Sequence, residues 1–308
     1  MLRAICFDLL LFQELTKTTA TIHKKIKLQK ETIMSANLSS VAVEQFDSEV
    51  KHAYQGMKTL RDCVKVRNNV VGGKYDFRLM GKGAATARTG SSADVVPMGV
   101  AHSLKVATLS DYEAPEYTDV FDSAEVNFDE IVELATTIAG AMGRRDDQSI
   151  IDALDTTTTT AVGDGTAALD LAAITAAAKV LNGVEAPSED RYFVIDEKGL
   201  NDLLNDSTIT SADYNTVRLL QAGEINSFMG FKFKIIGSAR AEGGLPLAST
   251  VRTGFAFHKS AIGHAVGIDM KTRVDYVAHK ASYLSMGMWK AGSVAIDVQG
   301  IVPVEYLA

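Results

Sequence analysis

The residue types that could do chemistry are present in this sequence, but their spacing does not fit a catalytic or metal site. His258 and His264 are six residues apart and would not share a helix face, and no cysteine stands at the spacing of a third ligand. The serines form no Gly-x-Ser-x-Gly elbow, and no histidine and acid accompany them in a recognisable order. We therefore predict that the protein is not an enzyme and holds no metal or cofactor.

One short segment, Gly163-Asp164-Gly165-Thr166, could bind an anion because it is rich in glycine and precedes a predicted helix. It has neither the lysine of a P-loop nor the glycine spacing of a dinucleotide-binding turn. We interpret it as a turn that caps a helix.

Charged residues at two places are candidates for contacts between subunits. Arg144-Arg145-Asp146-Asp147 lies in a predicted helix, where neighbouring opposite charges are typical of a solvated face; an intersubunit contact is the alternative. Asp146 and Asp147 are adjacent rather than facing, which is poor geometry for acid and base catalysis. In a predicted hairpin, Lys74, Lys82 and Arg88 are the other candidates.

Composition limits the class of protein further. With 308 residues and 46% apolar content, the chain can bury one large core or two moderate ones. A net charge of −7 provides no basic surface for gripping a phosphate backbone, so tight nucleic-acid binding is not expected. Only Cys6 and Cys63 are present, which fits a reducing compartment. The apolar run at residues 5–12 is interrupted by Asp8 and is shorter than the roughly 20 residues of a membrane span.

Residues 1–33 differ in composition from the rest and are rich in lysine just before Met34. Reverse translation of residues 30–34 allows AAGGAG, six nucleotides and then ATG, which has the form of a bacterial ribosome-binding site and start codon. Our hypothesis is that Met34 is the natural N-terminus. The alternative is a flexible basic arm.

The next part of the chain predicts an arm and a long hairpin. Residues 35–60 have apolar side chains every three to four positions, which indicates an amphipathic helical arm. Strand-like stretches at 64–80 and 95–109 flank a segment of Gly, Ala and Ser at 81–92. An isolated two-stranded ribbon is marginal in water, so we expect a neighbouring subunit to hold it. The alternative is that it folds back on its own domain.

An α+β pattern follows the hairpin. Asn127 is predicted to cap a long amphipathic helix that ends at Asp155 and the threonine run 156–160. An alanine-rich helix is predicted from Thr166 to Leu181. Later elements are a helix at 197–204 and strands at 192–195, 231–236, 255–257, 273–277 and 294–298.

Four segments of the C-terminal half are more specific. They are Asp190-Arg191-Tyr192-Phe193-Val194-Ile195-Asp196, Ile225-Asn226-Ser227-Phe228-Met229-Gly230-Phe231-Lys232-Phe233, Phe257-His258-Lys259-Ser260-Ala261-Ile262-Gly263, and Met286-Gly287-Met288 with Gly300-Ile301-Val302. Together with the arm, hairpin and long helix before them, they resemble the major capsid protein of tailed bacteriophages, especially the podovirus type. The resemblance covers residues 34–308 and has no counterpart for residues 1–33.

The resemblance implies an α+β capsid fold with an N-arm, an extended loop, a peripheral domain and an axial domain. Their implied bounds are 34–62 for the N-arm, 63–126 for the extended loop, 127–184 and 266–308 for the peripheral domain with its spine helix at 128–154, and 185–265 for the axial domain.

The function that the resemblance implies is that of a structural subunit, which assembles with itself into hexamers and pentamers of an icosahedral shell around phage double-stranded DNA. The implied location is the virion, with assembly in the host cytoplasm. A scaffolding protein, a portal and a decoration protein are implied partners, the DNA contact is weak and non-specific, and no membrane is involved. The alternatives are an encapsulin-like shell protein and, more remotely, a small-molecule enzyme of α+β type.

Overall fold

The structure, a computed structural model, describes residues 59–92, 94–125, 129–205 and 227–308. The predicted extension at 1–33, nearly all of the predicted N-arm and the predicted cap Asn127 lie outside these residues. The described residues combine helices and sheets, as predicted. The division into peripheral and axial domains stays a prediction.

Four α-helices occur among the described residues. They are α1 (Val120–Glu125), α2 (Glu130–Asp155), α3 (Leu171–Gly183) and α4 (Glu197–Asn205).

The strands form two larger sheets and one hairpin. They are β1 (Lys65–Arg67), β2 (Lys74–Met80), β3 (His102–Thr108), β4 (Ser110–Asp119), β5 (Arg191–Ile195), β6 (Ser227–Phe228), β7 (Phe231–Ile235), β8 (Leu247–Ala248), β9 (Val251–His258), β10 (Ile262–Val277), β11 (Ser282–Ala295) and β12 (Ile301–Leu307). One sheet has the order β1-β10-β11-β4, and the other has the order β12-β9-β5-β7-β6 with β8 beside β9. Among the described residues, strands β2 and β3 pair only with each other.

The structure confirms the long helix α2, but the helix begins at a different residue from the one predicted. Its cap is Asp129, whose carboxylate accepts a hydrogen bond from the Ile131 N–H at 3.2 Å. Asp129 succeeds as a cap because its carboxylate also meets the positive end of the helix dipole. The helix ends at Asp155, before the threonine run, as predicted.

Helix α2 lies between the two sheets and contributes to two cores. Ile150, Ile151 and Leu154 pack against one face of the six-stranded sheet, with Tyr192 and Val194 of β5. On the opposite face of that sheet, Phe193 and Ile195 pack against α3 and α4. Both faces of β5 are therefore buried, which explains its continuous apolar sequence.

The N-terminal half of α2 covers the four-stranded sheet. Ile138 and Met142 contact Val266, Trp289 and Ala291 of β10 and β11. The part of the helix that contains the charged run has buried polar side chains as well as buried apolar ones.

The alanine-rich helix begins five residues later than predicted. Asp170 caps α3 by accepting from the Ala173 N–H at 2.9 Å, so Thr166 is not part of the helix. Thr166 instead donates from its N–H to the Asp164 carboxylate at 3.0 Å, which closes a turn. Gly163 is required in this turn because it has a φ of +86° and a Cβ there would lie 2.3 Å from the Glu305 carbonyl oxygen.

The predicted long hairpin is shorter at its base than the sequence indicated. Residues 64–80 do not form one strand, because β1 joins the four-stranded sheet in parallel with β10. The chain turns between β1 and β2 at Asn69 and Gly72, which both have positive φ. The paired strands of the hairpin are Lys74–Met80 and His102–Thr108, and the Gly81 N–H adds a bond to the Ala101 carbonyl at 2.8 Å.

Two C-terminal strand predictions also differ from the structure. The stretch 273–277 is the far end of the sixteen-residue strand β10. The stretch 294–298 contains the end of β11 and the beginning of a 3₁₀ turn at Val298–Gly300. The predictions at 192–195, 197–204, 231–236 and 255–257 coincide with β5, α4, β7 and part of β9.

Candidate functional site

The charged run in α2 is the largest correction to the sequence analysis. Asp146 and Asp147 have no exposed surface, whereas the run was expected to form a solvated face. That expectation is wrong for these two residues because β10 covers α2 at Asp146, and the segments at residues 59–60 and 240 cover it at Asp147. Their contacts join α2 to other parts of the same chain.

Asp146 contacts a histidine that the sequence analysis treated as structural. The Nε2 atom of His264 lies 3.1 Å from Asp146 Oδ1, and its Nδ1 atom lies 2.9 Å from the Ser293 hydroxyl. Ser293 in turn lies 2.9 Å from the Ser149 hydroxyl. This buried chain of polar groups connects α2, β10 and β11.

Serine, histidine and aspartate side chains lie close together here, although the order of these residues in the sequence did not predict a catalytic arrangement. Acyl transfer requires a substrate carbonyl to reach the serine hydroxyl and the adjacent base. His264 and Asp146 are both completely buried, and the Trp289 ring stacks on the imidazole with centroids 6.4 Å apart. The arrangement therefore fits a structural link better than a reaction centre.

The Asp147 side chain binds the backbone of the first described residues of the chain. Its carboxylate accepts hydrogen bonds from the Thr59 and Leu60 backbone N–H groups at 2.9 Å and from Arg240 at 2.9 Å. Burial raises the pKa of Asp147, and these hydrogen bonds oppose that effect. The side chain thus joins three distant segments of the chain.

Arg145 also makes contacts within the chain. Its guanidinium is paired with Glu242 at 2.8 Å, donates to the Tyr112 hydroxyl at 3.2 Å and lies 4.7 Å from the centre of that ring. Arg144 is partly buried and takes part in interactions of its own. The intersubunit role of these four residues stays a prediction, and Asp146 and Asp147 offer no surface for it in this conformation.

The base of the hairpin packs on its own chain. Phe77 is 3% exposed and packs with Ala107, Leu109, Ala265 and Ile296 on the face of the four-stranded sheet that α2 leaves uncovered. The expectation that a neighbouring subunit alone holds the hairpin is therefore wrong for its base. The alternative, that it folds back on its own domain, applies there.

The tip and outward face of the hairpin have no such cover. Val95 is 95% exposed and Val96 is 71% exposed. Met80, Met98, Leu104 and Val106 are also exposed large apolar residues of this region. Exposed apolar groups that lie close together are typical of protein contact surfaces.

The three predicted contact residues of the hairpin lie on its surface. Lys74 is exposed, and Arg88 is exposed and donates to the Ser91 carbonyl. Lys82 donates to the Val184 carbonyl at 2.8 Å and pairs with Glu185 at 3.2 Å, both in the same chain. Their intersubunit role also stays a prediction.

The remaining candidates take structural positions. His258 Nδ1 lies 2.7 Å from the Ser260 hydroxyl and does not share a site with His264. Among the described residues, no cluster of His, Cys, Asp and Glu could hold a metal ion. In the same part of the chain, no helix is both long and apolar enough to cross a membrane.

A third polar cluster was not anticipated from the sequence. Tyr306 donates to the buried Asp196 carboxylate at 2.9 Å, and the Arg252 Nε atom lies 3.2 Å from the same group. Burial, followed by the Asp196 charge, raises the pKa of Tyr306. Tyr306 and Asp196 are 110 positions apart in the chain. The cluster is therefore visible only in the structure, where β12, β9 and β5 are neighbours in one sheet.

Comparison with protein families and curated sequences gives one match. A sequence model of the family described as phage capsid protein matches residues 38–308. A search of curated protein sequences finds no match.

Solved structures with the same fold are numerous. The capsid structure of the cyanophage P-SCSP1u has 17% identity and a TM-score of 0.68, covering 87% of this chain and 94% of that chain. A head structure of Helicobacter pylori bacteriophage KHP40 has 11% identity and a TM-score of 0.71, covering 85% and 95%. The capsid of a native GTA particle has 18% identity and a TM-score of 0.65, covering 87% and 96%.

Proposed function

This chain belongs to the phage capsid protein family, and from that premise we propose that its copies form the hexamers and pentamers of an icosahedral shell. It is a major capsid protein, a structural subunit with a capsid fold. The resemblance predicted from the sequence is confirmed. The family match over residues 38–308 is the observation that carries this conclusion.

The remaining partners belong to the proposal. The shell encloses double-stranded phage DNA, and a scaffolding protein and a portal take part in assembly in the host cytoplasm. A net charge of −7 supports a weak, non-specific contact with the DNA, because a container must not grip its contents tightly. The proposal also includes a decoration protein as a partner. No comparison favours the encapsulin-like alternative.

The hairpin supports a contact in which its tip reaches a neighbouring subunit. The base is fixed by Phe77 and Leu109, whereas Val95, Val96 and Leu104 expose their side chains. Burying one such side chain contributes roughly 1.5–3 kcal/mol, so a few of them are sufficient for a contact that a shell repeats many times. We therefore assign the unburied part of the hairpin to assembly.

Deletion of Gly81–Ser92 from the full-length chain tests this role. We expect the protomer to keep its melting temperature, because these residues have little buried surface, and to lose the ability to form particles in negative-stain microscopy. Replacing the same segment by glycine and serine residues of equal number is the matched control for loop length. Normal assembly of the deletion variant would show that the tip makes no contact that assembly needs. Failure of the wild-type chain to form particles both with and without its scaffolding partner would contradict the function itself.

A further inference from the structure

The turn after helix α3 carries an unusual residue. Glu185 has a φ of +64°, in the left-handed region that residues other than glycine occupy at a cost in free energy. Its N–H donates to the Asn182 carbonyl at 3.0 Å, and the Ala186 N–H donates to the Leu181 carbonyl at 3.0 Å. These two bonds form a Schellman motif, in which glycine is the usual residue at the left-handed position. A glutamate at this position therefore needs a reason.

The charge of Glu185 is also unfavourable at this place. The last carbonyl groups of a helix form the negative end of its dipole, where cations are favoured and anions are not. Backbone conformation and charge both argue against a glutamate directly after α3. A residue that breaks two local rules is typical of a functional position whose compensation comes from elsewhere in the chain.

Lys82 of the hairpin supplies that compensation. Its Nζ atom donates to the Val184 carbonyl at 2.8 Å and lies 3.2 Å from Glu185 Oε2. The ammonium group thus satisfies one of the last carbonyls of the helix, places a cation at the favourable end of the dipole and neutralises the glutamate. Because Lys82 and Glu185 are 103 positions apart, the contact joins the hairpin to a distant part of the chain.

The contact spans a cleft between the hairpin and the body of the protomer. The cleft has a volume of about 510 Å³, with Met80 on the hairpin side and His258 on the body side. The base of the hairpin is packed through Phe77, which lies roughly 17 Å of extended chain before Lys82. Two attachments this far apart fix an angle, whereas the packed base alone would let the hairpin pivot.

We propose that Lys82 and Glu185 form a brace that holds the hairpin at a fixed angle to the body of the unassembled protomer. This inference rests on the proposed function, because it adds a control to the hairpin whose tip that function assigns to assembly. A hairpin held at one angle loses less conformational freedom when it enters a shell, so the brace lowers the protein concentration at which particles form. The two side chains are 68% and 80% exposed, so the ion pair is weak and is screened by salt.

A surface ion pair with no influence on the hairpin is the alternative, since many such pairs contribute nothing measurable. Substitution of Glu185 by glycine separates the two explanations, because it acts on the fold and on the brace in opposite directions. Glycine accepts the left-handed backbone and carries no charge, so Glu185→Gly should keep or raise the melting temperature. The same substitution removes the partner of Lys82, so the hairpin should become less ordered.

Single-molecule Förster energy transfer measures the angle of the hairpin in the full-length protomer, below the concentration at which it assembles. The dyes are placed on Ser91→Cys near the hairpin tip and on Lys179→Cys at the exposed surface of α3, and Cys6 is replaced by serine. Burial raises the pKa of the Cys63 thiol to about 11, so this residue stays protonated and unlabelled.

Lys82→Met and Glu185→Gly should each broaden the distribution of transfer efficiencies. Each should also raise the protein concentration needed for particles by roughly twofold to fivefold, the range that corresponds to one exposed charge pair. Salt at about 1 M should broaden the wild-type distribution and leave that of Lys82→Met unchanged, since the Debye length is then about 3 Å.

Three further variants are controls. Lys82→Arg keeps the charge and the donors and should behave as the wild type does. Lys82→Glu should give the broadest distribution, because two carboxylates then repel each other, and addition of Glu185→Lys should narrow it again. Ser249→Gly replaces another exposed left-handed residue, with a φ of +59° in the turn between β8 and β9, and should leave the hairpin unchanged.

Two results would overturn the proposal. A wild-type distribution as broad as that of Lys82→Met would show that the hairpin is not braced. A broader distribution in the variants, without any change in the concentration needed for particles, would show that the brace does not serve assembly. The angle measurement needs no particles and is therefore separate from the proposed function, which fails if the wild-type chain forms none both with and without its scaffolding partner.

Discussion

The charged run in the middle of α2 and the charged residues of the hairpin have similar residue types and opposite surroundings. Asp146 and Asp147 are completely buried, and each lies within 3.1 Å of a basic side chain of the same chain. Lys74 and Arg88 are exposed, on a hairpin whose buried residues, among those the structure describes, lie at its apolar base. Charge therefore stabilises the protomer at α2 and is available to other copies at the hairpin.

The difference comes from what covers each element. At its charged run, helix α2 is covered by β10 and by the segments at residues 59–60 and 240, so its buried carboxylates must have partners inside the fold to offset the free energy of removing them from water. The hairpin has the four-stranded sheet on one side only. Its outward charges remain hydrated and cost nothing to keep until a second surface arrives.

Replacing Asp147 by asparagine should have the largest effect. The variant removes the carboxylate that pairs with Arg240, which is itself mostly buried, and weakens the attachment of Thr59 and Leu60. Breaking a buried ion pair from one side typically costs about 3–5 kcal/mol, and we expect a loss of this size in the free energy of unfolding. Urea unfolding measures it.

The matched control is Asp155→Asn, on the exposed surface of the same helix. It should change the free energy of unfolding by no more than about 0.5 kcal/mol. Equal effects of the two substitutions would show that burial of the α2 charges is not what distinguishes them.

Truncation of Phe77 tests whether the base of the hairpin belongs to the protomer. Phe77→Ala removes a ring that is 3% exposed and packed on β10, so we expect a loss of about 3–5 kcal/mol in the free energy of unfolding. Met80→Ala, on the outward face of the same strand, should change it by less than about 0.5 kcal/mol. A negligible effect of Phe77→Ala in the isolated protomer would mean that the base is held by assembly after all.

A smaller loss of stability is predicted for a substitution at Gly263, which lies beside Phe77. A Cβ at this position would lie 2.7 Å from two atoms of the Phe77 ring, so Gly263→Ala should displace the ring from its site. Overpacking of this kind costs about 1–3 kcal/mol. Gly237→Ala, where a Cβ would meet nothing within 4 Å, is the control in thermal melting. Full recovery of stability on combining Gly263→Ala with Phe77→Leu would locate the effect at this contact.

The smallest effect on folding is expected from neutralising the hairpin charges. Lys74→Gln with Arg88→Gln should change the free energy of unfolding by no more than about 0.5 kcal/mol, because both side chains are exposed. Assembly of this variant should be weaker at low salt and less sensitive to added salt than that of the wild type, since salt screens exposed charges. Light scattering at several salt concentrations measures both, and unchanged salt dependence would contradict a role for these charges.

The sequence by itself determined the class of fold and the family. Helix α2 was predictable because apolar residues recur at helical spacing and the threonine run stops it, and β5 because it is a continuous apolar run. The four C-terminal segments carried the resemblance that the family match confirmed. These signals are local, so neighbouring residues are sufficient to reveal them.

Only the tertiary structure decided which charged and apolar residues are available to another copy. Asp147 and Arg240 are far apart in the chain, as are Asp146 and His264, and no local pattern states that such pairs meet. The sequence of the hairpin likewise predicts one uniform ribbon. In the structure, Gly263 leaves room for Phe77 at its base, whereas Val95 near its tip is 95% exposed. Burial depends on which elements pack together over long sequence distances, and that arrangement separates the charges that hold the protomer from those left for assembly.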